Sequence, residues 1–401
     1  MSSRKVSLAL VGCGGIAGAH LKAYKDLHDR GVRQFEVTAC CDISVESARA
    51  RADQIAQFQG KAPVVFARVE ELVKAGAAEA ADVCVPHCYH HSATLPFLEG
   101  GMHVLLEKPL GITVKASRML IAAAERKGRI LATAENIRRG LSARACRWAL
   151  SEEQMIGEVP AADVQMVYNG QLNFADPKFK WRGVKLLTGG GMLMDSGAHF
   201  TDMMLYLFGE PESVYCEMQT RDPAPIQDAP VVGDAVADVE DTWFAVIRFR
   251  NGTRVNWTYS RVQPGPELKF GRYYGSNGIM EDLGNGFHAF QSGGRITLKD
   301  GTVRGREWIE SEYQKSLSAE DRERLFPGGA TDGFSIEVAD FVRAVAGGGR
   351  VELDGPAGLA AKALCEACYE SATAGRFVAY ADVLNGKIDA FQKPINEFWK
   401  I

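Results

Sequence analysis

The chain has 401 residues, of which 46% are hydrophobic and 24% charged, proportions typical of a globular enzyme of two or three domains. The formal net charge of −4, without a long basic run, argues against nucleic acid or an anionic membrane as a partner. No apolar stretch reaches the roughly 18 residues of a membrane span, and the apolar run before Gly12 is short for a secretion signal and better explained as a first β-strand. Nine cysteines, an odd number in a long chain, predict reduced thiols in the cytoplasm rather than disulfides.

Strands and helices alternate over residues 1–135. The predicted strands are 5–11, 35–41, 64–66, 83–85, 103–106 and 130–133. The predicted helices are 16–30, 44–58, 70–74, 91–99 and 114–127, with Ser44 as an N-cap. This alternation predicts a doubly wound parallel sheet, the Rossmann type of α/β domain.

The pattern changes near Asn136, and residues 136–401 form a second predicted domain of α+β type. Its predicted helices are 143–150, 192–207, 336–345 and 357–374. Its predicted strands are 164–168, 214–219, 242–250, 254–260, 270–274, 278–282 and 295–298. Asn251-Gly252 is a strong hairpin signal, and residues 222–234 are expected to form a long surface loop. We expect a largely antiparallel open sheet with helices on one face.

A glycine turn joins the first predicted strand to the first helix and fits the pattern Gly-x-Gly-x-x-Gly/Ala. In this context the turn predicts a dinucleotide site, with the diphosphate at the helix N-terminus. An aspartate at the end of the second strand favours NAD over NADP, because its carboxylate would accept from the ribose hydroxyls and repel a 2′-phosphate. The alternative is a structural glycine turn beside a surface aspartate. The residues expected at the cofactor are Gly12, Gly14, Gly15, Ile16, Ala17 and Asp42.

Two further groups of residues are candidates for catalysis. Lys108, in Glu107-Lys108-Pro109, follows the fifth strand, where it can hydrogen-bond a substrate hydroxyl; Pro109 can fix the turn, including through a cis bond. Asp195 and His199 are four residues apart and would share one helix face, so Asp195 could orient His199 as a general base. The alternatives are a solvated surface lysine and a buried histidine satisfied by a local aspartate.

Together these motifs resemble the Gfo/Idh/MocA family, which is named after glucose–fructose oxidoreductase, inositol 2-dehydrogenase and a rhizopine-catabolism protein. The resemblance also includes residues 85–90, 189–199 and 366–378 and covers nearly the whole chain. It implies a two-domain NAD(P)-dependent enzyme that oxidises or reduces a secondary alcohol of a sugar, polyol or glycoside. It implies Lys108, Asp195 and His199 as the catalytic set, and a C-terminal sheet that forms a homodimer or homotetramer interface.

Other contacts are expected from the same resemblance. The further cofactor contacts are Pro86, His87, His90, Glu107, Lys108 and Asn136. The chain departs from the family pattern at Val85 and His87, where the family usually has Thr and Asn. Trp181 and Arg182 are expected at the substrate, together with the catalytic set, because an aromatic ring can stack on a sugar face. The alternative is a core tryptophan beside a surface arginine.

Cysteines and histidines at 84–91 and the Cys365-x-x-Cys368 pair are interpreted as buried residues rather than metal ligands, so no metal is predicted. The favoured function is an NAD-dependent dehydrogenase. A redox-neutral NAD-dependent glycosidase, which oxidises the sugar transiently, is the second hypothesis. A cofactor-binding sensor without catalysis is the third.

Overall fold

Seventeen β-strands and fifteen α-helices form among the residues that the computed structural model describes, which are 4–170, 172–174, 176, 178–284 and 286–401. The strands are β1 (Val6–Val11), β2 (Phe35–Cys41), β3 (Val64–Phe66), β4 (Ala80–Val83), β5 (His103–Glu107), β6 (Leu131–Ala134), β7 (Ala161–Val167), β8 (Pro211–Gln219), β9 (Pro225–Ala229), β10 (Gly233–Val236), β11 (Thr242–Phe249), β12 (Arg254–Ser260), β13 (Leu268–Tyr274), β14 (Gly278–Asp282), β15 (Gly294–Leu298), β16 (Val303–Arg304) and β17 (Val378–Ala379). The helices are α1 (Ala17–Asp29), α2 (Val45–Gln59), α3 (Val69–Ala75), α4 (His90–Glu99), α5 (Val114–Lys127), α6 (Leu141–Arg147), α7 (Lys185–Thr188), α8 (Met192–Asp195), α9 (Gly197–Phe208), α10 (Arg306–Ser316), α11 (Ala319–Leu325), α12 (Gly333–Arg343), α13 (Gly355–Ala374), α14 (Tyr380–Leu384) and α15 (Lys393–Trp399).

The chain divides into two units. The first contains residues 4–112, Ala116–Arg139 and Leu317–Gly358, and the second contains most of the remainder. The segment Leu317–Gly358 therefore folds with the first unit, although the sequence analysis assigned everything after residue 135 to the second domain. The reason lies in α12, whose apolar face completes the core beside α1.

A six-stranded sheet forms the centre of the first unit, in the order β3-β2-β1-β4-β5-β6. Every pairing in it is parallel, which confirms the predicted doubly wound sheet. Five of the six residues of β1 are buried, as expected for a strand covered on both faces. The strand order reverses between β1 and β4, and this is where such sheets bind ligands beyond the carboxyl ends of their strands.

Helix α1 contacts the rest of the unit through a buried stripe at helical spacing. The stripe consists of Ala17, His20, Ala23, Tyr24 and Leu27. α12 packs against α1 and adds Val338 and Phe341 to the same core. Two of the buried side chains of α1 are polar and require buried partners.

A nine-stranded sheet forms the centre of the second unit, in the order β16-β15-β14-β13-β7-β12-β11-β8-β17. Only β7 and β12 pair in parallel within it, which confirms a largely antiparallel sheet. The predicted hairpin connects β11 to β12. Trp243 stacks on Tyr259, and Phe200 of α9 stacks on Trp257, so that aromatic rings fill the core between sheet and helix.

Several predicted boundaries were wrong. The expected loop at 222–234 contains the two-stranded β9–β10 ribbon. The single helix predicted at 192–207 is divided at Ser196 into α8 and α9. The strand predicted at 83–85 lies at Ala80–Val83, because it includes Asp82, a buried carboxylate that an apolar pattern excludes.

Helices α7, α10, α11, α14 and α15 were missed. They are short, and α10, the longest of them, is polar and buries only Ile309 and Tyr313, so its hydrophobic periodicity is weak. Among the described residues, none of the helices has the length and apolarity required to cross a bilayer.

Candidate active site

The glycine turn lies between β1 and α1 and has the geometry that a dinucleotide requires. Gly12 has a φ of +79°, and a Cβ built on it would lie 2.6 Å from the carbonyl oxygen of Cys84, so only glycine fits. Gly14 and Gly15 are exposed, and a Cβ on either would meet no atom within 4 Å. The space in front of the α1 N-terminus is therefore open, while Ala17 is fully buried. The turn fits a diphosphate.

The glycine turn is fixed by two side chains, Asp42, which directly follows β2, and Arg51 of α2. Asp42 accepts hydrogen bonds from the backbone N–H of Cys13 at 2.6 Å and of Ser44 at 2.7 Å. Each carboxylate oxygen retains a lone pair for a ribose hydroxyl. Arg51 donates to the carbonyls of Gly14 at 2.7 Å and Cys13 at 3.3 Å. Sequence reasoning missed Arg51, which lies outside the glycine motif.

The turn that carries Lys108 is held by histidines on both sides. Glu107 ends β5 and is buried, with its Oε1 2.9 Å from Nε2 of His20. The Lys108–Pro109 peptide bond is cis, and Nδ1 of His90 lies 2.9 Å from the carbonyl oxygen of Pro109. The half-buried Lys108 side chain thus leaves the backbone between two fixed residues.

The other predicted cofactor contacts of this unit have separate local roles. Nε2 of His90 lies 3.0 Å from the carbonyl oxygen of Val85, so both of its ring nitrogens face backbone carbonyls. His90 therefore helps to fix the turn, and its predicted contact with the cofactor stays a prediction. Pro86 is half-buried and His87 is buried beside the His90 ring. Asn136 follows β6, and α12 begins so close to its carbonyl that a Cβ on Gly333 would collide with it.

In the second unit, the glycine run before α8 is held by a buried carboxylate. Glu240 accepts from the N–H groups of Gly191 and Leu193, both at 2.9 Å, and from the Tyr369 hydroxyl at 2.9 Å. Burial raises the pKa of Glu240 to about 7 although these hydrogen bonds oppose the rise. A Cβ on Gly191 would lie 2.8 Å from this carboxylate, which explains the glycine. Sequence reasoning missed Glu240.

Asp195 and His199 lie on consecutive helices rather than on one. Asp195 ends α8 and is half-buried, whereas the buried His199 lies in the first turn of α9. Nε of Arg182 lies 3.5 Å from Asp195 Oδ2, and the Arg182 guanidinium carbon lies 5.2 Å from the centre of the Trp181 ring. The structure thus brings Asp195 and the predicted substrate residue Arg182 together.

His288 is a further residue at this site that the sequence did not reveal. Its ring centre lies 5.0 Å from that of His199, in an edge-to-face arrangement. The loop that carries it is anchored by Asp282, which accepts from the N–H groups of Gly284 at 2.8 Å and Phe290 at 3.0 Å. Burial raises the pKa of Asp282 to about 6. No motif surrounds His288, so only the fold identifies it.

Family models match most of the chain. The GFO_IDH_MocA model for an oxidoreductase-family NAD-binding Rossmann fold matches residues 6–135, and the model for the family's C-terminal alpha/beta domain matches residues 150–380. These matches confirm the resemblance, the NAD-binding Rossmann domain and the expectation of an enzyme.

Three of the curated relatives are named as enzymes that act on sugars. D-glucoside 3-dehydrogenase of Escherichia coli is 27% identical over 63% of this chain and 69% of its own length. The 1,5-anhydro-D-fructose reductase of Ensifer adhaerens is 26% identical over 58% of this chain and 64% of its own length. Levoglucosan dehydrogenase of Pseudarthrobacter phenanthrenivorans is 30% identical over 43% of this chain and 46% of its own length.

Solved structures share the fold. Levoglucosan dehydrogenase in complex with NADH and levoglucosan has a TM-score of 0.74 at 22% identity, over 94% of this chain and 100% of that chain. The WlbA dehydrogenase of Bordetella pertussis in complex with NADH and UDP-GlcNAcA has a TM-score of 0.71 at 21% identity, over 94% of this chain and 99% of that chain. At these identities the comparison confirms the fold.

Proposed function

Because the chain belongs to the Gfo/Idh/MocA oxidoreductase family, we propose that it is an NAD-dependent dehydrogenase of a sugar, polyol or glycoside. Hydride would pass between a secondary hydroxyl or its ketone and the nicotinamide. The observation that carries the proposal is the open cradle at Gly14 and Gly15 in front of α1, in a chain that also has Asp195 beside Arg182. The activities for which these curated relatives are named support the substrate class.

The proposed cofactor residues follow from the turn. The backbone N–H groups at the start of α1 would bind the diphosphate. Asp42, whose carboxylate is fixed by the N–H groups of Cys13 and Ser44, would accept from the adenosine ribose. Arg51 donates to the carbonyls of the turn and would add a positive charge beside a bound diphosphate. When bound, the dinucleotide supplies the hydride acceptor or donor.

The proposed proton chemistry belongs to the catalytic set, His199, Asp195 and Lys108, with Arg182 beside Asp195. His199 takes the proton of the substrate hydroxyl as general base, since a neutral imidazole nitrogen suits this role near neutral pH. Asp195 stabilises the charge that His199 acquires, while Arg182 offsets the charge of Asp195. Lys108 donates a hydrogen bond to the substrate oxygen.

Substrate recognition is proposed for residues around Asp195. The Trp181 ring and the Arg182 guanidinium lie beside each other, so one can cover a sugar face while the other binds hydroxyls. His288 adds a second imidazole at His199. The homodimer or homotetramer expected from the resemblance stays a prediction.

The test combines NADH absorbance at neutral pH with a panel of free sugars, inositols, anhydrosugars and glycosides. NADH formed with one class of substrate supports the proposal and identifies the class. Lys108→Met should abolish most turnover, whereas the control Lys22→Met, on the exposed side of α1, should retain it. Aglycone released only with NAD present, without NADH, would instead indicate redox-neutral cleavage.

A further inference from the structure

A buried polar cluster lies within the first unit and is not used by the chemistry above. We call it the His20 cluster, and it consists of His20, Tyr24, Asp82, Glu107 and Glu337. These five residues come from α1, β4, β5 and α12, and each is at most 6% exposed. Such a group of charges is costly to bury and needs a reason.

The contacts within the cluster centre on one imidazole. Nδ1 of His20 lies 2.9 Å from Asp82 Oδ2, and Nε2 lies 2.9 Å from Glu107 Oε1. The Tyr24 hydroxyl donates to the same Asp82 oxygen at 2.8 Å. Glu337 Oε1 lies 3.7 Å from Nε2 of His20. His20 therefore bridges two carboxylates, one through each ring nitrogen.

The geometry determines the charge on His20. Each ring nitrogen faces a carboxyl oxygen, and with both carboxyl groups ionised each nitrogen has to donate, which makes the ring an imidazolium. Burial by itself would lower the pKa of His20, but the Asp82 carboxylate raises it well above its ordinary range. Burial raises the pKa of Glu337, and neither of its oxygens has a hydrogen-bond partner among the described residues, which fits a neutral acid.

We propose that His20 is a positioning residue for Lys108, acting through Glu107. The residue before Lys108 is held by His20 and the residue after it by His90, so the lysine backbone is fixed on both sides. His20 also belongs to α1, whose first turn carries the cofactor cradle. The His20–Glu107 contact thus links that helix to the Lys108 turn. This inference rests on the proposed role of Lys108.

The two amide replacements of His20 separate its two contacts. In His20→Asn the amide can replace Nδ1 toward Asp82 but cannot reach Glu107, whereas in His20→Gln it can replace Nε2 toward Glu107. We expect His20→Asn to lower kcat by about 30- to 100-fold, as loss of precise positioning does, with NADH affinity changed by less than about threefold. His20→Gln should recover most of that loss.

Tyr24→Phe is the matched control. It removes a hydrogen bond to Asp82 one turn further along α1 and leaves the Glu107 contact in place. It should cost stability but keep kcat within about twofold of the wild type. An equal loss of kcat in Tyr24→Phe and His20→Asn would show a merely structural role and would overturn the proposal, as would wild-type kcat in His20→Asn.

A measurement without substrate distinguishes this inference from the proposed function. Trace acetylation of the folded protein, followed by peptide mass spectrometry, gives the reactivity of Lys108 relative to Lys22. Without His20, the unpaired Glu107 carboxylate should bind the neighbouring Lys108 ammonium and slow its acetylation by about threefold or more in His20→Asn but not in Tyr24→Phe. This result stands even if no substrate produces NADH. Unchanged reactivity would overturn the inference.

Two further outcomes are decisive. If His20→Asn fails to fold, Glu107→Gln, which weakens the same contact while keeping its shape, should show the loss of kcat instead, and normal kcat there would overturn the proposal. His20, Asp82 and Cys84 each have one atom that could ligate a metal ion, and these three atoms lie within 4.8 Å of one another. A stoichiometric metal ion in the purified protein would therefore replace the imidazolium and refute the assignment.

Discussion

Replacing Glu240 with glutamine tests whether this carboxyl group is held in the fold as a neutral acid. Its oxygens face the N–H groups of Gly191 and Leu193 and the Tyr369 hydroxyl, and the residue is only 6% exposed. Because burial raises its pKa to about 7, the folded chain binds this proton more tightly than the unfolded chain, whose carboxyl titrates near 4.5. Its stabilising contribution is therefore complete below pH 4.5 and is lost as the pH rises through 7.

The size of this effect follows from the two pKa values. The difference between 4.5 and about 7 corresponds to about 3 kcal/mol, most of which is lost between pH 5 and pH 8. For a unit of roughly 200 residues, the stability lost between pH 5 and pH 8 lowers Tm by at least about 5 °C. Glutamine stays neutral, so the cost of placing its NH₂ group opposite a donor is the same at every pH.

Tryptophan fluorescence is the appropriate assay because all six tryptophans belong to the second unit, which also contains Glu240. The Tm of the wild type minus that of Glu240→Gln should fall by about 5 °C or more between pH 5 and pH 8. The exposed Glu212→Gln provides the control and should give a constant difference. A constant difference for Glu240→Gln as well would refute the argument that burial controls this ionisation.

Three further predictions concern the cradle and the second imidazole. Gly12→Ala should weaken NADH binding in a fluorescence titration by about tenfold or more, because its Cβ would meet Cys84; Gly31→Ala, with a similar φ of +83° and open space, should lose only stability. Arg51→Gln should raise the NADH Kd by about three- to tenfold, and the exposed Arg49→Gln should not. His288→Leu should lower kcat by about tenfold without altering NADH affinity. A wild-type kcat in this variant would show that His288 has no role in catalysis.

The sequence predicted those parts of the molecule that depend on local chemistry. The turn at Gly12 could be located because its backbone needs glycine at fixed spacing, and the alternation of strands and helices predicted the parallel sheet. Asp195 and His199 were expected on one helix face, but the helix is divided at Ser196, so that Asp195 ends α8 and His199 lies in the first turn of α9. Their roles stay predictions.

The residues that the sequence did not reveal share one property, which is that each acts on a segment distant along the chain. Glu240 caps the glycine run 49 residues before it, and His20 holds Glu107 87 residues after it. Spacing rules describe neighbours on one element and cannot report such pairs. A weaker signal was nevertheless present at Asp82, a carboxylate inside the apolar run from Ala80 to Val83. Because a buried charge without a partner would cost several kcal/mol, its presence in a strand already required a distant partner such as His20.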